Sequence, residues 1–406
     1  MKKDWAPCSY KKVPWRQQVR TGSREDRMVR SITVCLPAEI AKRTFTLDSE
    51  LISRSEFAIR AISHLDAVYG ETLKSLNRLL IRVESVASSK IENINATSEE
   101  YARALYGNRS NTSAIEMVAG TQALTELIAS VESSNKISEI SLKRAHLILM
   151  KDVPREVESA GKYRRVQNWI GGSDYSPLNA IFVPPPPENV EGMMQDLLEF
   201  ANRDDLPALV QATIAHAQFE TIHPFADGNG RIGRALVNAI LRRRKITSKV
   251  VVPIASFLVA NREGYFADLG SYRDGDIVNL LTRFTNAASH ASTQAVETAE
   301  SLILLPNIWR ERLGTVRSGS STSQLLDRLI SSPVFAAEEL IGVIGKNSTS
   351  TYNAISKLKD KNILVPLSDK KRNQIWGAID VLSELEALDN RIALMEDSTD
   401  KHHMKN

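Results

Sequence analysis

The sequence predicts a mainly α-helical protein, and three observations lead there. Apolar residues recur three and four apart over long stretches, as in Leu73, Leu76, Leu79, Leu80 and Val83. Proline-containing or Gly/Ser-rich segments separate these stretches. Strand-like signals are confined to two short regions, 161–184 and 363–377.

At 406 residues the chain is long enough for two or three domains with a sizeable core. Its 42% apolar and 25% charged residues are ordinary for a globular protein. A net charge of +4 is small for this length, so composition gives no case for nucleic acid or an acidic membrane. The two cysteines, Cys8 and Cys35, are not in a metal-ligand spacing, which makes a reducing cytoplasm the expected location. The N-terminus has no apolar leader core, and the longest apolar stretch, 250–260, is too short to span a bilayer.

Taken in order, residues 1–45 mix basic residues and prolines with Trp5 and Trp15 without a period, and they read as an extended arm on the surface. Residues 49–88 turn helical, and this run ends in Ser88-Ser-Lys-Ile-Glu92-Asn93. Residues 99–107, 113–130 and 138–150 read as further helices that supply core. After Pro154, two short apolar segments flank Gly171 and Gly172, so 161–184 reads as a β-hairpin. The prolines at 184–187 form a stiff connector, and 190–201 and 208–221 give a helix pair leading into 223–234.

That stretch, His223-Pro-Phe-Ala-Asp-Gly-Asn-Gly-Arg-Ile-Gly-Arg234, holds most of the candidate chemistry. Ile232, Ala235, Leu236, Ala239 and Ile240 form one apolar stripe, so the Gly-Asn-Gly turn sits on a helix N-terminus. Unpaired peptide N–H groups and the helix dipole favour an anion there, and glycines let the backbone approach it closely. Arg231 and Arg234, three apart, reach the same side of that helix, and two guanidiniums suit a polyphosphate. Asp227 can offer hard oxygens to a Mg²⁺ ion otherwise held by phosphates and water. The imidazole of His223 can take a proton from an attacking hydroxyl. Gly228, Gly230 and Gly233 also spell a dinucleotide fingerprint, but that needs a preceding strand, and 208–221 reads as a helix.

Beyond the signature helix, the basic run 242–245 is a normal complement to a helix C-terminus. A long helix is expected from 276 to 304, ended by Leu305-Pro306, with 306–322 as a linker. Three short helices (323–331, 336–344, 347–361) and two strands around the polar tip 369–373 then resemble a winged helix-turn-helix over 323–380. Lys357, Lys359, Lys361 and the basic tip are compatible with DNA phosphates, although no arginine cluster marks base readout. A C-terminal helix follows, and 401–406 reads as a disordered tail.

The 223–234 stretch resembles the signature of the Fic family, His-x-Phe-x-Asp/Glu-Gly-Asn-Gly-Arg-x-x-Arg, and every fixed position is present. The resemblance implies a helical Fic core over 111–305, a β-hairpin flap over the active site at 161–184, and transfer of AMP from ATP to a Ser, Thr or Tyr hydroxyl of a protein. By the same resemblance His223 is the base, Phe225 a core anchor and Asp227 the Mg²⁺ ligand. Gly228, Asn229 and Gly230 cradle phosphates, Arg231 contacts them, and Arg234 holds the terminal phosphate. Relatives that transfer phosphate carry a bulkier residue at the second glycine, so Gly230 argues against that reaction. Residues 259–266 resemble the family's Asn-Arg-x-x-Tyr-Tyr segment, which implies contacts from Asn261 and Tyr265 to adenine or ribose. Phe266 replaces the second tyrosine of that pattern, and Tyr265 fits core packing equally well.

One group of Fic proteins carries an inhibitory helix with the pattern Ser/Thr-x-x-x-Glu-Gly/Asn. Of the four Glu-Gly/Asn pairs in this chain, only that at Glu92 has a Ser or Thr four residues before it, namely Ser88. The resemblance implies that Glu92 pairs with Arg234 and excludes the terminal phosphate, with Ser88 fixing the helix, which assigns 1–110 to an inhibitory region. The same site, with Glu92 orienting a water, would hydrolyse an AMP–protein bond. An extended target segment would pair with the flap edge through main-chain hydrogen bonds. Self-association is common among relatives. The competing reading is a DNA-binding regulator whose Fic module senses ATP, and His223 favours the enzyme because sensing needs no base.

Overall fold

A computed structural model describes residues 5–17, 21–73, 75–344, 347–368 and 374–403. Strand β1 (Ser9–Pro14), helix α1 (Arg24–Met28) and strand β2 (Ser31–Leu36) come first. Next come α2 (Ser49–His64), a π-helical turn (Leu65–Tyr69), α3 (Gly70–Thr72), α4 (Leu76–Ile91), α5 (Ser98–Leu105), α6 (Thr112–Ser134) and α7 (Glu139–Met150). A long loop leads to α8 (Val190–Ala201), α9 (Ala208–Ile222), α10 (Asn229–Arg243), α11 (Ile254–Ala260), α12 (Arg262–Arg273) and α13 (Val278–Leu313). The C-terminal part holds α14 (Ser321–Leu326), β3 (Val334–Ala336), α15 (Ser348–Asp360), β4 (Leu364–Pro366), β5 (Ile375–Ala378) and α16 (Ile379–His403). The chain divides into two compact units, one of Met1–Phe57, Gln122–Ile246 and Arg262–Asn286, the other of Ala58–Thr121, Thr247–Asn261 and Ala287–Asn406.

The first unit is organised on α9. Every residue from Ala208 to Ile222 is buried, which is how a helix without a polar face must sit. Helices α8, α10 and α12 pack on it. Gly233 of α10 permits one of these contacts, since a Cβ there would stand 2.6 Å from Glu220 Oε1 and 3.1 Å from Phe219 Cδ1 on α9.

The N-terminal segment, expected as an extended arm, forms a two-stranded ribbon. β1 and β2 pair antiparallel from Ser9↔Leu36 to Pro14↔Ser31. Alternation along β1 is hidden because five of its six residues are exposed. This ribbon braces the 161–184 loop: the Cys35 N–H donates to the Val183 carbonyl at 2.9 Å, and Gln17 Nε2 donates to the Tyr175 carbonyl at 2.9 Å. Trp15 stands edge-on to Trp169 at 6.3 Å. Asp26, in a capping box with Ser23, accepts the Ser176 hydroxyl at 2.7 Å. Hydroxyls of Ser173, Ser176 and Ser23 hold the Asp26 carboxyl well below the usual carboxylate range.

The loop itself corrects another expectation. The two strands foreseen at 161–184 reduce to a single antiparallel bridge, Ile170↔Phe182. Gly171 and Gly172, at φ +71° and +75°, turn the chain at once, and the four prolines from Pro184 supply no N–H groups to extend a ladder.

In the second unit two buried carboxylates take the place of missing backbone partners. Asp66 accepts from the N–H groups of Ser248, Lys249 and Val250, and Glu84 of α4 accepts from Ala255 N–H at 2.7 Å, at the start of α11. Helix α11 packs against α4 and α16. The long helix expected to stop at Pro306 instead runs through it to Leu313. Beyond the proline it is held by the fully buried Trp309, whose indole N–H donates to Asp380 at 2.7 Å, and by the Arg312–Asp380 ion pair at 2.9 Å. Strands β3, β5 and β4 form an antiparallel sheet in that order, and α14 packs on α15. The polar tip 369–373 lies outside the described residues. Helix α16 extends through His403, into the tail expected to lack structure, while 404–406 are not described.

Because folding depresses the Asp26 pKa, its contribution is present above the usual carboxylate range and lost as pH falls through the folded value. Asp26→Ala is expected to lower Tm at neutral pH and to quicken chymotryptic cleavage after Trp169 or Tyr175 severalfold. Cleavage at the wild-type rate would show that Asp26 does not anchor the loop.

Candidate active site

Helix α9 ends before Pro224, which brings no N–H and disfavours helical backbone at the residue before it. The backbone escapes at His223, which adopts φ 50°, ψ 61° while its N–H still bonds the Phe219 carbonyl at 2.9 Å. A left-handed residue after a helix is usually glycine, and histidine is among the few others that tolerate it. His223 is partly exposed, whereas Pro224 and Phe225 are buried.

Asn229 closes the turn. Its side chain accepts the Phe225 N–H at 2.8 Å and donates to the Phe225 carbonyl at 3.0 Å, occupying both backbone groups of one residue. Helix α10 starts there, with Gly228 as its left-handed N-cap at φ 75°. A Cβ on Gly228 would meet Leu149 Cδ2 at 3.0 Å and Met150 Sδ at 3.1 Å, so glycine is required both for conformation and for space. The exposed Asp227 accepts its neighbour's N–H, that of Gly228, at 2.5 Å. Arg231 and Arg234, both buried, lie in the first two turns of α10, with Arg231 Nη2 3.7 Å from Met150 Sδ.

Two residues that sequence reasoning did not single out hold this loop. His146 of α7 stacks on Phe225 with ring centroids 3.8 Å apart and planes 5° apart. Its Nδ1 accepts the Gly161 N–H at 2.9 Å, which leaves Nε2 as the protonated nitrogen donating to the Asp227 carbonyl at 2.9 Å. Burial lowers its pKa to about 4. Arg164 donates to the carbonyls of His223 at 2.8 Å, Pro185 at 2.5 Å, and Ile222 and Val166 at 3.3 Å each. Burial lowers its pKa to about 10. Asn168 adds a bond to the Phe225 carbonyl at 3.0 Å. A histidine on an apolar helix face and an arginine in a basic pair carry no mark of such roles in one sequence.

The structure therefore gathers His223, Asp227, Gly228, Asn229, Gly230, Arg231 and Arg234 in one turn between two helices of the first unit. Tyr265, on α12 of the same unit, is wholly buried, with its hydroxyl 2.8 Å from His216 Nε2. Burial lowers the His216 pKa to about 3, so that ring is neutral. Asn261, Ser88 and Glu92 belong to the second unit. Asn261 is the partly buried C-cap of α11, and Ser88 is buried within α4. Glu92 is the partly exposed C-cap of α4, and Asn93 follows it at φ 60°. Asn93 N–H bonds the Lys90 carbonyl and Ile94 N–H bonds the Ser89 carbonyl, a Schellman closure that calls for Gly or Asn after the glutamate.

A helix pair is thus joined by a left-handed histidine and an Asn-locked, glycine-capped turn. The sequence model of the Fic/DOC family matches residues 136–241. It is 30% identical over 209 residues to a probable protein adenylyltransferase of Aquifex aeolicus, covering 50% of this chain and 61% of that protein. It is 25% identical over 261 residues to the protein adenylyltransferase Fic of Nematostella vectensis, covering 57% of this chain and 56% of that one. The match thus spans less than two thirds of either relative. Among solved structures, a Fic family protein from Desulfovibrio desulfuricans G20 shares the fold with TM-score 0.55 and 22% identity, over 82% of this chain and 97% of that one.

His146→Phe keeps an aromatic ring against Phe225 but removes both hydrogen bonds, and is expected to cost about 1–3 kcal/mol in chemical unfolding. With a folded pKa near 4 against 6.5 unfolded, His146 makes the wild type lose stability as pH falls from 6.5 to 4. The stability difference between wild type and variant should therefore narrow over that range. A difference constant with pH would show that His146 is not held neutral.

Proposed function

We propose that this chain is a protein adenylyltransferase that moves AMP from ATP to a Ser, Thr or Tyr hydroxyl of a target protein. The observation that carries the reading is the turn itself, which presents a partly exposed imidazole beside a helix N-terminus bearing two arginines. The names of the two curated relatives support it. His223 takes the proton of the target hydroxyl, whose oxygen attacks the α-phosphorus of ATP while pyrophosphate leaves. Gly228, Asn229 and Gly230 let the phosphates approach the backbone at the start of α10. Arg231 contacts the phosphates and Arg234 holds the terminal one.

Among the described residues no group of three or more His, Cys, Asp or Glu could hold a metal. That fits magnesium, which a single carboxylate can hold when phosphates and water complete its shell, and the exposed Asp227 is such a carboxylate. The ion would neutralise phosphate charge. Asn261 and Tyr265 are read as the family's base-side pair.

Target docking is assigned to the 161–184 loop. Since it holds one bridge instead of a ladder, it would receive an extended segment over only a few main-chain hydrogen bonds, which fits selection by more than one local sequence. Control is assigned to Glu92, whose carboxylate competes with the terminal phosphate and, when a water is in place, supports removal of AMP. Glu92 stands at the negative end of the α4 dipole, where a carboxylate is disfavoured by about 0.3–1 kcal/mol, as expected of a residue kept for function. The segment 323–380 is read as a winged helix in which α15 bears Lys357 and Lys359, and self-association as in the family is part of the reading. No helix among the described residues is long and apolar enough to cross a membrane. The free thiols of Cys8 and Cys35 fit a cytoplasmic setting.

With radiolabelled ATP, Glu92→Gly is expected to raise auto-modification severalfold over wild type. His223→Ala should abolish transfer while retaining ATP binding by calorimetry. Equal labelling of wild type and Glu92→Gly would remove the inhibitory role, and label transfer by His223→Ala would remove the base.

A further inference from the structure

The second unit contains a cavity of about 450 Å³ between α4, α5 and α16, within the size range of small-ligand sites. One wall is apolar, with Val83 and Val86 of α4 and Leu382 and Leu385 of α16. The other is charged and internally balanced, with Arg82 and Lys90 facing Glu386 and Asp389.

Two of these charges are incompletely matched. Arg82 lies over the Tyr101 ring at 4.8 Å and has Glu386 as a neighbour, but among the described residues its guanidinium makes no hydrogen bond. Burial lowers its pKa, the mark of a charge short of solvent. Glu386 accepts the Ser98 hydroxyl at 2.9 Å. Asp389 receives Lys90 on Oδ2 at 2.8 Å, while its Oδ1 is buried without a partner. Donors short of an acceptor and an acceptor short of a donor, both partly desolvated, are costly to keep and ask for one ligand carrying both complements. Arg82 and Asp389 line the same cavity, so one ligand can present a carboxylate to the first and an ammonium to the second.

We propose that this cavity binds a free α-amino acid with a large apolar side chain. Its carboxylate takes the fork of Arg82, its ammonium takes Asp389 Oδ1, and its side chain lies on the aliphatic wall. The ion pair with Asp389 holds Lys90 in the last turn of α4, two residues before Glu92, so occupancy is felt at the residue that restrains transfer. This regulatory consequence rests on the adenylyltransferase reading, whereas the binding site does not.

L-phenylalanine is the probe, set beside L-phenylalaninamide, which lacks the carboxylate, and 3-phenylpropionate, which lacks the ammonium. Calorimetry and thermal shift on the full chain should show L-phenylalanine binding about tenfold or more tighter than either analogue. Arg82→Met and the cavity-filling Val86→Phe should both lose that binding while unfolding cooperatively. No L-phenylalanine binding at millimolar concentration, equal binding of the three compounds, or unchanged binding to Arg82→Met overturns the site. An L-phenylalanine effect on AMP transfer in wild type but not in Glu92→Gly supports the coupling, and equal effects in both overturn it. If no form transfers AMP, the enzyme reading fails while the binding measurement still decides the site.

Discussion

The structure depends on how α9 stops. A helix buried on every side cannot end in solvent, so its exit must be made inside the fold, where each backbone group needs a partner. Pro224 favours the stop, the left-handed His223 redirects the chain, and carbonyls exposed by the turn are taken by Arg164. Asn229 then binds back to Phe225 and lets α10 begin. In such an arrangement the imidazole has little freedom of its own, because its Cα is fixed by the same bonds that close the helix. Preorganisation of this kind holds a side chain in place without a prior rearrangement.

Around that turn the fold is tied together from distant parts of the sequence. His146 joins α7 to the Asp227 carbonyl and to Gly161, where the 161–184 loop begins. Arg164 joins the same loop to the end of α9. At its far side the loop is held by Asp26, Gln17 and the β2 strand. The loop therefore has a single bridge in place of a ladder yet is anchored at both ends. Such a segment can offer unpaired backbone to a partner without losing its place over the turn.

Much of this was legible in the sequence, and what was not has a physical cause. Helices with a strong apolar period, and the turn 223–234, are local signals, so α8 to α10 fall where the pattern places them. The β1–β2 ribbon was missed because one strand is exposed on both sides, and a strand without a buried face has no alternation to read. The helix through Pro306 was missed because its continuation depends on Trp309 and Arg312 reaching Asp380, some 70 residues away in sequence. The roles of His146 and Arg164 are of the same kind, since only the fold says which backbone carbonyl a side chain will meet.

Charge placement separates what folding asks of this chain from what its site asks. For stability alone, acids belong at helix N-termini and bases at C-termini, and α1, α5 and α7 follow that rule with glutamates or aspartates in their first turns. Helix α10 begins instead with Arg231 and Arg234 and no acid, while α4 ends on Glu92. Each choice opposes the local dipole, and together they leave a positive helix start and a negative helix end. A helix start favours an anion and a helix end a cation or a hydrogen-bond donor, so the two departures from the rule fall at the 223–234 turn and at the end of α4.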